Sequence, residues 1–233
     1  MIAALAPCSF IDFPGRLAAV LFTQGCDLRC RYCHNPSLCP PGRPATPLGI
    51  DAFLAKRRGF LDGVVVTGGE PTLWRELPEL LAAIRRLGFA VKLDSNGMHP
   101  AQVDAILADG LVDFLAVDVK AHPGASSRHL CGHARQAELA LATLACAVAR
   151  NVPHEARTTV VAGIHDPPAF DWIVEHLGQV GCRRWFMQPV RGGRVLDESF
   201  PFALPEATIV QAALAHAETI GLEVGLGQGW PLS

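Results

Sequence analysis

The strongest constraint on this chain is an alternation. Short, nearly unbroken apolar runs are separated by longer amphipathic stretches, and the pattern repeats from residue 17 to residue 220. The runs are 17–23 (LAAVLFT), 63–67 (GVVVT), 89–94 (FAVKLD), 112–118 (VDFLAVD), 155–161 (EARTTVV) and 183–188 (RRWFMQ). Segments of this length that are apolar on both faces suit strands of a parallel sheet covered by helices. Helical patterns fall between them, roughly at 50–59, 75–87, 100–109, 134–150, 168–179 and 205–220. In 75–87, Leu77, Leu80, Leu81, Ile84 and Leu87 share one face, and Gly88 supplies a stop. Six strand–helix units in succession imply right-handed crossovers and a parallel sheet. A chain of 233 residues is slightly short for a closed eight-unit barrel. The expectation is therefore an α/β fold, an open partial (β/α)6 TIM-like barrel, with a doubly wound open sheet as the alternative.

One domain spanning 1–233 is expected, because half of the residues are hydrophobic and can fill one sizeable core. The Pro/Gly-rich loops at 35–49 and 189–205 do not read as linkers. A net charge of −2 gives no strong field toward nucleic acid or anionic lipid. No apolar run reaches the roughly 20 residues of a membrane helix. The N-terminal segment lacks a basic start and meets Asp12 early, unlike a signal peptide. These features point to a cytoplasmic protein that binds neither nucleic acid nor membrane.

Either fold places its ligand at the C-terminal ends of the strands, and the polar residues collect there. Gln24 follows the first run, Glu70 the second, Asp94 to Asn96 the third, Asp118 and Lys120 the fourth, and Gln188 ends the sixth. The first of these loops is the most specific. It reads Gly25-Cys26-Asp27-Leu28-Arg29-Cys30-Arg31-Tyr32-Cys33-His34-Asn35-Pro36. Of eight cysteines in the chain, these three lie within eight residues, which suggests a metal site rather than disulfides. Three thiolates on one loop can hold a [4Fe-4S] cluster and leave one iron open for a small molecule. A zinc site is the alternative, with His34 or Cys39 as its fourth ligand.

The other strand ends carry weaker signals. Thr67-Gly68-Gly69-Glu70-Pro71 offers backbone unshielded by Cβ atoms, or else is an ordinary turn before a helix. Asp94 and Asp118 need cations or donors if buried, and Lys120 supplies one charge; a structural salt bridge is the plain reading. Arg157 lies inside an apolar run and also needs an anion. Tyr32, the single tyrosine, either packs the loop or lines a pocket. His129, Cys131 and His133 are read as a loop with no matching metal motif. Cys8, Cys146 and Cys182 are read as buried thiols.

The spacing Cys-x3-Cys-x2-Cys, with an aromatic before the last cysteine and placed after the first strand, resembles the radical-SAM superfamily. The resemblance implies that S-adenosylmethionine (SAM) chelates the open iron and is cleaved reductively to a 5′-deoxyadenosyl radical. It implies that Gly68, Gly69 and Glu70 hold the SAM amino group. Asp94, Ser95, Asp118 and Lys120 would contact SAM or hold a monovalent cation beside it. Arg157 would meet the SAM carboxylate, and Tyr32 and Gln188 would face adenine or substrate. Further segments narrow the resemblance: Ser9-Phe10-Ile11-Asp12-Phe13-Pro14-Gly15, Tyr32-Cys33-His34-Asn35-Pro36, Lys92-Leu93-Asp94-Ser95-Asn96-Gly97 and Arg157-Thr158-Thr159-Val160-Val161. Together they look like the glycyl-radical activases, nearest the kind serving anaerobic ribonucleoside-triphosphate reductase and related to the activase of pyruvate formate-lyase. A glycyl-radical enzyme, with anaerobic ribonucleotide reductase foremost, is then the implied partner, and a flavodoxin, ferredoxin or similar protein the implied reductant. Residues 34–67 contain one cysteine, Cys39, so the second-cluster insert of some activases is not expected. The Pro-rich stretch 39–44 departs from the pattern. Two other functions fit less of the sequence: a small-molecule radical-SAM enzyme, for example one forming a deazapurine, and an iron–sulfur electron-transfer or scaffold protein.

Overall fold

In the computed structural model, which describes residues 1–42, 49–228 and 230, eight strands form one sheet in the order of the chain. They are β1 (Ile2–Ser9), β2 (Ala18–Thr23), β3 (Gly63–Gly68), β4 (Ala90–Ser95), β5 (Phe114–Asp118), β6 (His154–Val160), β7 (Arg184–Pro189) and β8 (Glu223–Leu226). Strands β2 to β8 are parallel, and β1 returns antiparallel on β2. Among the described residues β8 does not pair with β1, so the sheet stays open as a partial TIM-like barrel. The helices are α1 (Ile50–Ala55), α2 (Leu77–Arg86), α3 (Pro100–Ala108), α4 (Ala125–Cys131), α5 (Gln136–Ala149), α6 (Pro167–Gln179) and α7 (Ala207–Thr219). No helix of the described residues is long and apolar enough to cross a membrane.

The six expected strands are all present, as β2 to β7. Two were missed for physical reasons. β1 is an edge strand interrupted by Pro7, half-exposed along its length, with no clean alternation. β8 has four residues, one of them Gly225. The helix α4 was also missed. It is short and polar (ASSRHLC), and it moves His129 and Cys131 from the expected loop onto a helix. Cys8 corrects a further expectation: it is exposed, not buried, whereas Cys182 is buried and Cys146 half-buried. The Pro-rich stretch lies partly outside the described residues.

The core forms because helices cover the sheet with the face the sequence marks. Leu77, Leu81 and Ile84 of α2 are buried beside Val64, Val66, Val91 and Leu93, while Leu80 and Leu87 pack at the margin. α2 ends at Arg86, and Gly88 takes a positive φ of 91° at the turn into β4. The parallel register brings Thr23 level with Gly68, Ser95 level with Val117, and Asp118 level with Arg157. The polar strand ends are thereby gathered on one rim.

Candidate functional site

The chain leaves β2 at Thr23 and enters the cysteine loop through Gln24 and Gly25. It passes directly over the end of β3. A Cβ on Gly68, whose φ is 123°, would stand 2.2 Å from the Thr23 nitrogen. One on Gly69 would stand 2.0 Å from the Gly25 oxygen. The space freed by this glycine pair is filled by the chain itself. Gly69 N–H donates to Thr23 O at 2.9 Å and Glu70 N–H to Gly25 O at 2.7 Å. The pair thus seats the start of the cysteine loop.

Other elements fix the rest of that loop. Gly25 N–H donates to Leu38 O and Cys26 N–H to Cys39 O, so residues 36–39 turn back beneath it. The backbone N–H groups of Arg29 and Arg31 donate to the Cys131 and Leu130 carbonyls at the end of α4. The Arg31 side chain pairs with Asp197 at 2.8 Å and stacks on Phe200 at 4.8 Å. Asp27 accepts from the Asn96 amide at 2.7 Å and pairs with His99 at 2.9 Å, tying the loop to the end of β4.

Glu70 is fully buried. Its Oε1 accepts from Thr72 N, Thr72 Oγ1 and Ser95 Oγ, and its Oε2 accepts from Asn96 N. Burial raises its pKa, although these four donors oppose the shift. Beyond it runs a chain of alternating charge. Lys92 Nζ meets Asp94 at 2.5 Å, and Arg157 bridges Asp94 at 3.1 Å and Asp118 at 3.2 Å. Lys120 meets Asp118 at 2.7 Å. Burial works against the Asp118 carboxylate, but Lys120 and Arg157 outweigh it and hold its pKa below the ordinary value. Burial likewise opposes the Lys120 ammonium, and Asp118 outweighs it and raises its pKa. Both groups are charged across the neutral range. The anion that Arg157 requires is supplied twice over by the protein.

These groups line a single cavity of about 260 Å³. Cys26, Cys30, Tyr32, Cys33, Gly68, Gly69, Glu70, Asp94, Ser95, Asp118, Lys120, Arg157 and Gln188 all face it, so every residue singled out from the sequence for this site is brought together. His129, Cys131 and His133 are not among its lining. Sequence reasoning missed Thr159, which also lines it. It stands two residues beyond Arg157 on β6, and the strand's period of two was the available signal. It also missed Gln136, a fully buried residue at the start of α5. Its amide donates to the Asn96 and Asp118 carbonyls, and its Oε1 accepts from Lys120 N–H. No local pattern distinguishes such a residue from an ordinary helix start.

The donor set can be tested against the groups the sequence implies. Burial pushes the Cys26 thiol up to about 11, so the protein alone does not make it a thiolate. Metal coordination reverses that, because a ligating thiol is deprotonated outright. A zinc site needs a fourth ligand beside the three thiols; His34 lines the same cavity, whereas Cys39 is not among its lining. The three motif thiols line one cavity of about 260 Å³. The Tyr32 hydroxyl is buried there with no hydrogen-bond partner, while Lys120 lies 5.9 Å over its ring. Three thiols, an adjacent ammonium and an orphaned hydroxyl fit an iron–sulfur cluster with a polar small molecule.

Residues 20–169, more than half of the chain, match the model of the radical SAM superfamily. A Staphylococcus aureus pyruvate formate-lyase-activating enzyme is 38% identical over 96 residues, covering 38% of this chain and 35% of the relative. A Methanocaldococcus jannaschii protein that carries the name of a candidate glycyl-radical enzyme activating enzyme is 31% identical over 134 residues, covering 52% of this chain and 50% of that one. The chain thus spans half or less of the length of these curated relatives. Among solved structures, a radical SAM methyltransferase from Sphaerobacter thermophilus superposes with a TM-score of 0.71 at 18% identity, covering 95% of this chain and 69% of that one. That likeness concerns the fold alone.

Proposed function

The chain belongs to the radical SAM superfamily, and from that premise we propose that it is an activase that installs a glycyl radical on a partner enzyme. The observation that carries this reading is the convergence of the three motif cysteines with the polar ends of β3 to β7 on one cavity. The cluster and SAM, when bound, supply a 5′-deoxyadenosyl radical that takes a hydrogen atom from the substrate.

The protein's own groups bind and orient. Cys26, Cys30 and Cys33 ligate the cluster. The SAM amino group meets the backbone of Gly68 and Gly69 and the acceptor capacity left on Glu70 Oε2. Lys120 and Arg157 present cationic faces to the SAM carboxylate, each held in place by Asp118. Ser95 positions Glu70 by donating to it. Tyr32 offers its hydroxyl and ring to the nucleoside, and Gln188 contacts adenine or the substrate. A monovalent cation is not required for charge balance, because Arg157 already bridges Asp94 and Asp118.

The partner in this proposal is an anaerobic ribonucleoside-triphosphate reductase, the electron donor is a flavodoxin or ferredoxin, and the compartment is the cytoplasm. One radical-SAM domain over 1–233 carries the activity. The support is the similarity to glycyl-radical activases and an open sheet, which leaves a side through which a partner loop reaches the cavity. The test mixes reduced protein, SAM and the reductase and records an electron paramagnetic resonance spectrum. A glycyl doublet is expected, lost when the partner's target glycine becomes alanine. Absence of a doublet with every glycyl-radical enzyme of the same genome, together with turnover of a purine-like metabolite, would overturn the reading in favour of a small-molecule enzyme.

A further inference from the structure

The turn after β4, Ser95-Asn96-Gly97-Met98-His99, touches both the cysteine loop and the buried carboxylate of Glu70. It cannot shift alone. Gly97 has a φ of 76°, and a Cβ on it would stand 2.6 Å from the Ala140 Cα, so the turn lies directly on α5. Thr143 Oγ1 of α5 donates to Gly97 O at 2.8 Å, and Gly97 N–H donates to Ser95 Oγ at 3.0 Å. Within this turn Asn96 has every polar group in use. Its N–H donates to Glu70 Oε2 at 2.6 Å, and its carbonyl accepts from the Gln136 amide at 2.7 Å. Its Oδ1 accepts from Met98 N–H at 2.9 Å, and its Nδ2 donates to Asp27 Oδ1 at 2.7 Å. The backbone of one residue thus holds Glu70, and its side chain holds the cysteine loop between Cys26 and Cys30.

The residue type follows from that arrangement. The side chain must accept from Met98 and donate to Asp27, which an amide does, whereas an ionised carboxylate only accepts. Asp27 has a second tie, to His99 at 2.9 Å, but those two side chains are 25% and 33% exposed, and such pairs contribute little. Asn96 is 5% exposed. A hydrogen bond from a buried donor to a charged acceptor is stronger and costs more to lose. The Asn96 contact is therefore the tie that fixes Asp27 relative to Glu70. We propose that Asn96 is a positioning residue that sets the separation between the cysteine loop and the site of the SAM amino group at Gly68, Gly69 and Glu70. The inference rests on the cluster and SAM reading above. A small molecule held by the cluster on one side and by the strand ends on the other binds well only where the two are already correctly spaced. Cluster ligation needs only the three thiols, so the contact governs SAM affinity and not iron content.

The test uses the full-length protein: wild type, Asn96→Asp, Asp27→Ala, and the exchanged pair Asp27→Asn with Asn96→Asp, in which amide and carboxylate trade places. Three quantities are measured for each. They are iron content after anaerobic reconstitution, SAM affinity by calorimetry, and amide hydrogen exchange of residues 26–33 in the cluster-free protein. Asn96→Asp sets two carboxylates against each other. Asp27→Ala removes the same contact without touching the residue that holds Glu70, and it carries the test if Asn96→Asp folds poorly. Both should hold as much iron as wild type, bind SAM about tenfold more weakly and exchange faster over 26–33. The exchanged pair should recover affinity and protection. Wild-type SAM affinity in both single variants would overturn the inference. An exchanged pair no better than Asn96→Asp would also overturn it, by placing the effect at Glu70 alone. So would equal loss of iron and SAM affinity in Asp27→Ala, which would make the contact a requirement of the loop's fold. Wild-type protein that takes up no iron or binds no SAM would remove the cluster and SAM reading itself, and this inference with it.

Discussion

The middles and the C-terminal ends of the parallel strands are built from opposite chemistry at nearly equal burial. In their middles, Val64, Val65 and Val66 of β3 and Leu115, Ala116 and Val117 of β5 have no solvent exposure and no polar atoms in their side chains. A few residues further along, Glu70, Asp94, Ser95 and Asn96 are nearly as buried and wholly polar. Apolar burial contributes roughly 25 cal/mol per Å² to stability, whereas a buried ion pair is often no better than an apolar pair of the same volume. The polar ends are therefore not explained by stability. Their charges are nevertheless met: Lys92, Asp94, Arg157, Asp118 and Lys120 pair in a chain, and Glu70 accepts from four neutral donors. The strand middles hold the fold, and the strand ends use that rigidity to hold charge in place.

The largest test of that division is at the cysteines. Cys30→Ala should reduce iron from about four per chain to almost none while leaving the helical circular-dichroism signal intact. Normal iron content in this variant would remove the functional end of the comparison altogether.

Next comes the charge chain. Asp94→Ala strips the partner from Lys92, which is only 1% exposed, and should cost roughly 3–5 kcal/mol in urea unfolding. That rivals the roughly 2–5 kcal/mol expected for Leu81→Ala in the core. The double replacement Lys92→Met with Asp94→Leu sharpens the contrast. It should recover much of the lost stability, because no charge is left stranded, yet fail to restore SAM binding measured by calorimetry. A double variant that binds SAM like wild type would show that this pair is structural only.

Gln136 should give an effect of the same kind, through lost hydrogen bonds and not a stranded charge. Gln136→Leu leaves the Asn96 and Asp118 carbonyls and the Lys120 N–H without their buried partner, at about 1–3 kcal/mol for each unsatisfied group at most. SAM affinity should fall more than the iron content does. Equal loss of both would mean that Gln136 supports the whole fold and not the strand ends.

The legible part of this molecule is the part written in local pattern. The apolar runs located β2 to β7, and the spacing Cys26–Cys30–Cys33 located the loop, because both are properties of neighbouring residues. What escaped depends on contacts made at a distance. The glycine pair 68–69 reads as backbone open to close approach, and the sequence does not show that Thr23 and Gly25, some forty residues away, are among what approaches it. Arg157 reads from the sequence as a cation in need of an anion, and only the parallel register shows that Asp118 stands beside it. β1 and β8 escaped because an edge strand needs no apolar pattern on its open side.

The smallest expected effect lies just behind the strand ends, at His165. It is fully enclosed: Nδ1 accepts from Val161 N–H at 3.0 Å, and Nε2–H donates to the Lys120 carbonyl at 3.1 Å. One acceptor and one donor suit the neutral ring, and a second ring proton would displace the Val161 contact. Burial lowers its pKa from 6.5 to about 4. The unfolded chain therefore binds a proton between these values that the folded chain does not. The stability that His165 contributes is complete above pH 6.5 and is lost as pH falls toward 4, by up to ~1.4 kcal/mol per pH unit. His99, whose pKa is raised by Asp27, acts with the opposite sign, and Asp118 loses its contribution only at lower pH. The total slope mixes these terms, so the informative quantity is a difference. Urea unfolding at pH 7.5 and pH 5 should show wild type losing more stability than His165→Gln, which retains a donor and an acceptor but cannot titrate. Equal losses in the two proteins would mean that His165 titrates alike in the folded and the unfolded chain.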